Sequence, residues 1–479
     1  MKKTKIITSL GPSSYNGDTF TQMVLNGANV ARINFSHVTP EEKIMDLDAV
    51  HEARKRTGQN IAILYDTKGP EFRNGVFEGD EVTLIEGNTI RIVKEDVIGN
   101  SERFTVNHPK AIDSLEVGNE VLLENGLMKL EVISKEDDGV TCKIINGGIL
   151  GNKKSMSVPG VKLDIPFISE QDREDIIYAC EHEGDYLALS FVGSKEDVLE
   201  AREILKKCNR EDLKIISKIE SVTGINNLEE IIEVSDGVMV ARGDLGVEVP
   251  MSKLPIYQKE IIRCARKHGK IAVVATEMLE SMKKNARPTR AEVSDVTAAV
   301  FDGTDAVMLS GETTIGKHPV ETVAAMARTC AASEKYTDFT GKFELPDNDD
   351  NDCVALASGV INCANIMDAK LIVVQSHTGK TAQILSNLKP NAPILAITDD
   401  EKLGRRIGLN YGVYSIVSER SSSIDKFIVE AKKCALEFAK NNDFELKSGD
   451  KILITAGFVG SDENSRKYAD SNLMKIDTI

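Results

Sequence analysis

A short apolar run rich in valine and isoleucine, then a polar turn, then an amphipathic stretch: this unit recurs eight times before about residue 330. The runs are KIITS (5–9), NVARINF (29–35), IAILYD (61–66), DYLALSF (185–191), LKIISKIE (213–220), DGVMVARGD (236–244), KIAVVAT (270–276) and DAVMLSGE (305–312). Their length and β-branched content read as buried strands. Strand–helix alternation implies parallel strands joined by right-handed crossovers. Eight such units are the number that closes a (β/α)8 TIM barrel, so the expected class is α/β.

The third unit is interrupted. After IAILYDTKGPEFRNG the hydrophobic period changes from helical to alternating, and from about residue 75 to 158 the alternation is broken by Gly, Asn and Asp turns. The pattern predicts an antiparallel, β-barrel-like domain inserted after strand three. There it would stand over the barrel's C-terminal mouth as a lid. Beyond the polar stretch FELPDNDDND (343–352) come AKLIVVQS, APILAIT, GVYSIV and DKILITAG, with helical runs between. They predict an open C-terminal α/β domain. The expected division is 1–69 with 165–340 for the catalytic barrel, 70–164 for the lid, and 341–479 for a regulatory and oligomerisation domain.

Bulk properties exclude several classes. A net charge of −16 argues against a general polyanion binder, so no nucleic acid partner is expected; a small basic phosphate pocket is compatible with it. The eight cysteines include no CxxC pair and none joined to a histidine at zinc-site spacing, which reads as reduced core thiols of a cytoplasmic protein. The apolar run before Gly11-Pro12 is too short for a signal-peptide core, and no stretch approaches the roughly 18 apolar residues of a membrane helix. No membrane partner is expected.

In a barrel of this kind the strand C-termini face the active site. Polar residues gather there. Strand two ends in Arg32, Asn34 and Ser36, spaced by two and so on one face. Strand three ends in Asp66-Thr67-Lys68, five in Lys218 and Glu220, six in Arg242-Gly243-Asp244, seven in Thr276-Glu277 and eight in Ser310-Gly311-Glu312. Lys218 and Glu220 taken alone read equally well as a structural ion pair. Several strands supplying complementary groups point instead to Mg²⁺ held by two carboxylates and a substrate oxygen, with Arg and Lys neutralising what the metal does not. The chemistry is phosphoryl transfer or enolate chemistry on a small anionic substrate. Arg73 and Lys154, one at each end of the lid segment, are phosphate-binding candidates.

The motifs around these residues resemble the pyruvate kinases. KIITSLGPSS, ARINFSH, DTKGPEFR, SKIES, GVMVARGDLGVEVP, ATEMLESM, RPTRAEVSDV and FDGTDAVMLSGETTIGKHP run in family order through residues 5 to 319. The resemblance implies a glycolytic transfer of the phosphoryl group of phosphoenolpyruvate to ADP, giving pyruvate and ATP. It implies that Lys218 is the catalytic lysine, that Arg32 holds the transferring phosphoryl group, and that Glu220 and Asp244 hold Mg²⁺, with Mn²⁺ as an alternative ion. The amides around Gly243-Asp244 and the Thr276 hydroxyl would fix the substrate carboxylate and reacting carbon. Asn34, Ser36, Asp66 and Thr67 match a K⁺ site, and Glu71 is the residue type of K⁺-dependent members. Arg73, Lys154, His37 and Asn34 would reach the nucleotide, which brings a second Mg²⁺. The family is usually tetrameric, so a homotetramer is expected.

QSHTGKT (375–381) places small and hydroxyl residues at a strand-to-helix junction, which serves as an anion nest or as a simple helix cap. The resemblance implies a sugar-phosphate effector there, with Thr378, Lys380 and Thr381 as candidates. Its second half would lie near ITAGFVGSDENSRKYADSN, which does not follow the family pattern. Other departures are Val38 for a usual glycine, Gly193 for a common arginine, Thr223 for an acid, Glu277 for a glutamine, and Thr297-Ala298 for Ala-Asn. Glu277 would pair with a base such as Arg242, or change the pH or metal dependence. A Mg²⁺-dependent aldolase would share the barrel mouth but has no use for the lid cations. A binding paralogue with weak catalysis is opposed by the intact Lys218, Glu220, Asp244 and Arg32.

Overall fold

The computed structural model describes residues 1–36, 38–337, 339, 351–419, 421, 423–442, 444–457 and 471–479. The eight expected strands close one parallel barrel: Lys5–Ser9, Val30–Asn34, Ala62–Asp66, Tyr186–Leu189, Lys214–Ile219, Gly237–Ala241, Ile271–Ala275 and Ala306–Leu309. Each pairs with its neighbour in this order, and the last pairs with the first. Alternation along each strand divides the core in two. Ile7, Val30, Leu64, Ala188, Ile216, Met239, Val273 and Met308 fill the barrel, while Ile6, Ile33, Ile63, Leu187, Ile215 and Val240 pack outward against the helices.

Two strands end well before their apolar runs do, each three residues sooner. The sixth stops at Ala241, and Arg242–Glu248 winds into a short helix; the eighth stops at Leu309 before the short helix Gly311–Thr314. Composition alone does not mark where an extended chain turns into a helix opening with small and polar residues.

The lid is a curled six-stranded sheet with a separate two-stranded ribbon, Glu81–Leu84 against Gly148–Gly151, around its own core of Phe77, Phe104, Leu130 and Val140. Its strand ladders are antiparallel except in one place. Thr89–Val93 runs parallel to Arg103–Thr105, because residues 94–102 carry the chain back to its starting end before it pairs again. Arg73 bridges Ser155, so the lid enters and leaves side by side.

The C-terminal domain is a five-stranded sheet, parallel except for Leu473–Thr478, which runs antiparallel to Lys451–Ala456. It docks on the N-terminal ends of the barrel strands. Lys5 Nζ donates to the Val413 carbonyl at 2.5 Å, Arg405 Nε lies 3.2 Å from Asp185 Oδ2, and Asn60 Nδ2 donates to Ser415 Oγ at 2.9 Å. One end of the barrel is thereby covered, and the other, where the strands' C-termini lie, is left to the lid. Residues 343–350 of the polar stretch and 458–470 of the C-terminal segment lie outside the described residues. No helix among the described residues is long and apolar enough to cross a membrane.

Candidate active site

The inward alternation that fills the barrel with Val30, Leu64 and Ile216 continues two residues further, at the mouth, with Arg32, Asp66 and Lys218. The same rule carries Ile7 to Ser9 and Ala188 to Ser190. These side chains meet. Lys218 Nζ donates to Ser190 Oγ at 2.7 Å and lies 3.1 Å from Glu220 Oε1 and 3.2 Å from Asp66 Oδ1. Arg32 Nε donates to Asp66 Oδ2 at 2.7 Å and its Nη1 to Ser9 Oγ at 2.8 Å. The Lys218–Glu220 ion pair therefore exists, but as one edge of a larger buried network.

The electrostatics of this network are uneven. Burial alone would raise the pKa of Asp66, but Lys218 and Arg32 outweigh it and hold the carboxyl below the usual range. Burial opposes charge on Lys218, yet Asp66 and Glu220 more than offset it and hold the ammonium above its usual value. Glu220 goes the other way. Burial first, and then the negative charge of Asp244, push it up to about 7 against the pull of Lys218. Its Oε2 accepts the Phe191 amide at 2.6 Å. Glu220 is thus a buried carboxylate short of positive charge, with an exposed Asp244 electrostatically coupled to it.

At the ends of strands six and seven the backbone is sharply turned. Thr276 and Glu277 hold φ of 68° and 53°, a left-handed pair unusual outside glycine. The turn brings Thr276 Oγ1 under the Gly243 amide, which donates to it at 2.8 Å. The two groups expected to grip a substrate carboxylate are therefore adjacent. Arg242 does not pair with Glu277: it binds Asp295 at 2.7 Å and the Thr276 carbonyl at 2.7 Å, which fixes the strained turn. Glu277 is exposed. Glu312, expected at the mouth, is buried and accepts the Leu279 and Ser310 amides at 3.1 and 2.8 Å, so it serves the fold.

A cleft of about 290 Å³ separates lid from barrel, lined by Glu71 and Arg73 on one side and by Phe191, Gly193, Thr223 and Asp244 on the other. The lid cations begin from adjacent backbone, since the Asn74 amide donates to the Lys154 carbonyl at 3.2 Å. Their charged ends are tied down separately, Arg73 to Glu71 at 2.7 Å and Lys154 to Glu124 at 2.7 Å. Gly193 and Thr223, read from the sequence as two separate departures, are one local change: a Cβ on Gly193 would lie 3.5 Å from Thr223 Cγ2. Val38 packs on the barrel core, and the Thr297 hydroxyl donates to the Val293 carbonyl at 2.9 Å.

Asn34 and Asp66 are direct register partners on strands two and three. Asn34 Oδ1 accepts the Ser36 amide at 3.2 Å, and Thr67 Oγ1 accepts the Ser190 amide at 3.2 Å. His37 lies outside the described residues. In the C-terminal domain Gly379, at φ 86°, caps helix Lys380–Asn387, and Thr378 Oγ1 accepts the Lys380 amide at 3.4 Å. Thr378 is exposed, whereas Thr381 is buried with its hydroxyl 3.9 Å from Cys353 Sγ.

Sequence reading missed Ser9 and Ser190. They stand at the mouth ends of strands one and four, the two strands to which it assigned no polar residue. The inward-face rule applied to hydroxyls as well as charges would have found both.

The match to known proteins is extensive. The family model for the pyruvate kinase barrel domain matches residues 1–323, and that for the pyruvate kinase alpha/beta domain matches residues 354–476. The pyruvate kinase of Geobacillus stearothermophilus is 40% identical over 482 residues, covering 100% of this chain and 80% of the relative. That of Clostridium perfringens (strain 13 / Type A) is 39% identical over 484 residues, covering 100% of both. A crystal structure of a pyruvate kinase from Cryptosporidium parvum aligns with a TM-score of 0.91 at 36% identity, over 100% of this chain and 96% of the other. Two family models in chain order, and near-complete coverage by relatives, make the assignment: the chain belongs to the pyruvate kinase family.

Proposed function

We propose that the buried network around Lys218 carries out the family's reaction, transfer of the phosphoryl group of phosphoenolpyruvate to ADP. The observation that carries this reading is one ammonium held within 3.2 Å of Ser190, Glu220 and Asp66 at the mouth of the barrel. Lys218 faces the moving phosphoryl group and the enolate oxygen left behind. Arg32, braced by Asp66 and Ser9, holds the phosphoryl oxygens. The Gly243 amide and the Thr276 hydroxyl exchange their mutual hydrogen bond for bonds to the substrate carboxylate. Arg73 and Lys154, with His37 and Asn34, address the nucleotide, and lid closure excludes water as a competing acceptor.

Glu220 and Asp244 suit Mg²⁺ or Mn²⁺: both donors are carboxylates, and the raised proton affinity of Glu220 records a deficit of positive charge there. When bound, the ion supplies positive charge to the substrate oxygens. Asn34, Ser36, Asp66 and Thr67 form an all-oxygen set suited to K⁺. The expected division into barrel, lid and C-terminal domain, a homotetrameric assembly, a cytoplasmic setting and a sugar-phosphate effector at Thr378, Lys380 and Thr381 belong to the same reading.

The test is pyruvate formation from phosphoenolpyruvate and ADP, with Mg²⁺ and K⁺ each omitted in turn. Turnover should require both ions. Lys218→Met should remove it while phosphoenolpyruvate still binds in calorimetry. Turnover retained by that variant, or none by well-folded wild type, overturns the proposal.

A further inference from the structure

The cysteine spacing suggested no zinc site, but the fold brings a cysteine and a histidine to a third possible ligand from another helix. Cys264 and His268 stand four residues apart at the C-terminal end of helix Leu254–Lys267, hence on one face. Glu229, in the first turn of helix Leu228–Val234, meets them. The three ligand atoms all lie within 4.8 Å of one another, and no other group of three His, Cys, Asp or Glu among the described residues does so. His268 Nε2 lies 2.5 Å from Glu229 Oε2. The cluster has an inside and an outside: Cys264 is 8% exposed, whereas the Glu229 side chain is 62% exposed. None of the three belongs to the network at the barrel mouth.

We propose that Glu229, Cys264 and His268 bind a thiophilic divalent ion of the Zn²⁺ class. One sulfur, one imidazole nitrogen and one carboxylate oxygen, with a fourth position open to water, are the mixed donor set such ions take. Mg²⁺, which takes oxygen ligands, has no use for the thiol. Metal–ligand bonds of about 2.0–2.3 Å place tetrahedral donors roughly 3.3–3.8 Å apart. The donors already lie near that spacing, and the His268–Glu229 contact opens to admit the ion. Glu229, exposed and at the start of a seven-residue helix, is placed to make that shift.

The sulfur binds as the thiolate, so binding releases the Cys264 proton to solvent as the sulfur lone pair takes the metal, and affinity falls as pH falls. Lys267 Nζ, 3.7 Å from Glu229 Oε1, gives up that partner. The bound ion would join the helix that precedes strand six to the helix that precedes strand seven, outside the barrel.

Co²⁺ is a direct probe, titrated into the full-length protein under saturating Mg²⁺. The expected result is one equivalent giving a thiolate-to-cobalt charge-transfer band with tetrahedral ligand-field absorption, displaced by Zn²⁺. A thiolate band cannot come from Glu220 and Asp244, which carry no sulfur. Cys264→Ser should abolish it while the seven other cysteines remain. His268→Ala and Glu229→Gln should weaken Co²⁺ binding at least about tenfold. A band that survives Cys264→Ser, or no thiolate band in folded wild type, overturns the proposal. Should the buried Cys264 variant fail to fold, His268→Ala, at a partly exposed side chain, decides: unchanged Co²⁺ affinity there overturns it equally.

Discussion

Lys218 is held by three oxygens, yet only two of them are charged; the third is the hydroxyl of Ser190, at 2.7 Å. Ser190 also donates to the Thr67 carbonyl at 2.7 Å, so it links the lysine to the backbone after strand three. It acts as a positioning residue. Removing one partner of a buried charged group costs about 1–3 kcal/mol, so Ser190→Ala should lower kcat about 10- to 100-fold. The KM for ADP should stay unchanged, and Ser190→Thr should recover part of the loss in steady-state assays. A loss of thermal stability with kcat intact would make Ser190 merely structural. Asp66 is the counterpart that cannot be spared: with both carboxylate oxygens engaged by Arg32 and Lys218, Asp66→Asn should impair phosphoenolpyruvate binding as well as turnover, by calorimetry and kinetics.

Helix Pro40–Thr57 shows how an element can carry a cost that activity does not reveal. It is bounded by a Thr39 capping box and by Gly58 at φ 66°, the left-handed stop that a glycine accepts without strain. Within it Asp46 is fully buried, and neither carboxylate oxygen has a hydrogen-bond partner. Burial, and then the charge of Glu42, raise its pKa from 3.8 to about 7. The folded protein keeps this proton up to about pH 7 and the unfolded chain loses it near 3.8, so this group makes stability fall as pH rises between those values. Asp46→Asn should therefore stabilise the protein at pH 8, on the order of 1–3 kcal/mol, and do little at pH 4. Urea unfolding at the two pH values measures the difference.

At the scale of the molecule, the C-terminal domain is anchored by buried charge. Lys389 Nζ lies 2.5 Å from Asp305 Oδ1, with the two side chains 0% and 2% exposed. Asp305 also accepts the Ala272 amide at 2.8 Å, so it belongs to the barrel whatever the C-terminal domain does. Removing the lysine strips that buried carboxylate of its ion-pair partner, a cost of about 3–5 kcal/mol. Lys389→Met should lower the urea midpoint and separate the unfolding of barrel and C-terminal domain into two steps, seen by tryptic susceptibility of each. A single unshifted transition would show that the remaining contacts, such as Arg405 with Asp185 and Asn60 with Ser415, suffice alone.

Local information was enough for the eight barrel strands, the inserted β segment, and the charged residues at six strand ends. Each is a matter of period and of residue type, which neighbouring positions reveal. The chain could not reveal which polar side chains would meet. Ser9 and Ser190 look like ordinary strand-end hydroxyls until closure of the barrel brings them to Arg32 and Lys218. Glu312 looks like Glu220, but one caps buried amides and the other faces the mouth. Gly193 and Thr223 look like unrelated changes, and Cys264 and His268 show no third ligand until another helix supplies Glu229. Sequence determines which groups lie on which face of an element; only packing of elements distant in the chain decides which faces share a space, because contact and burial are properties of the closed fold.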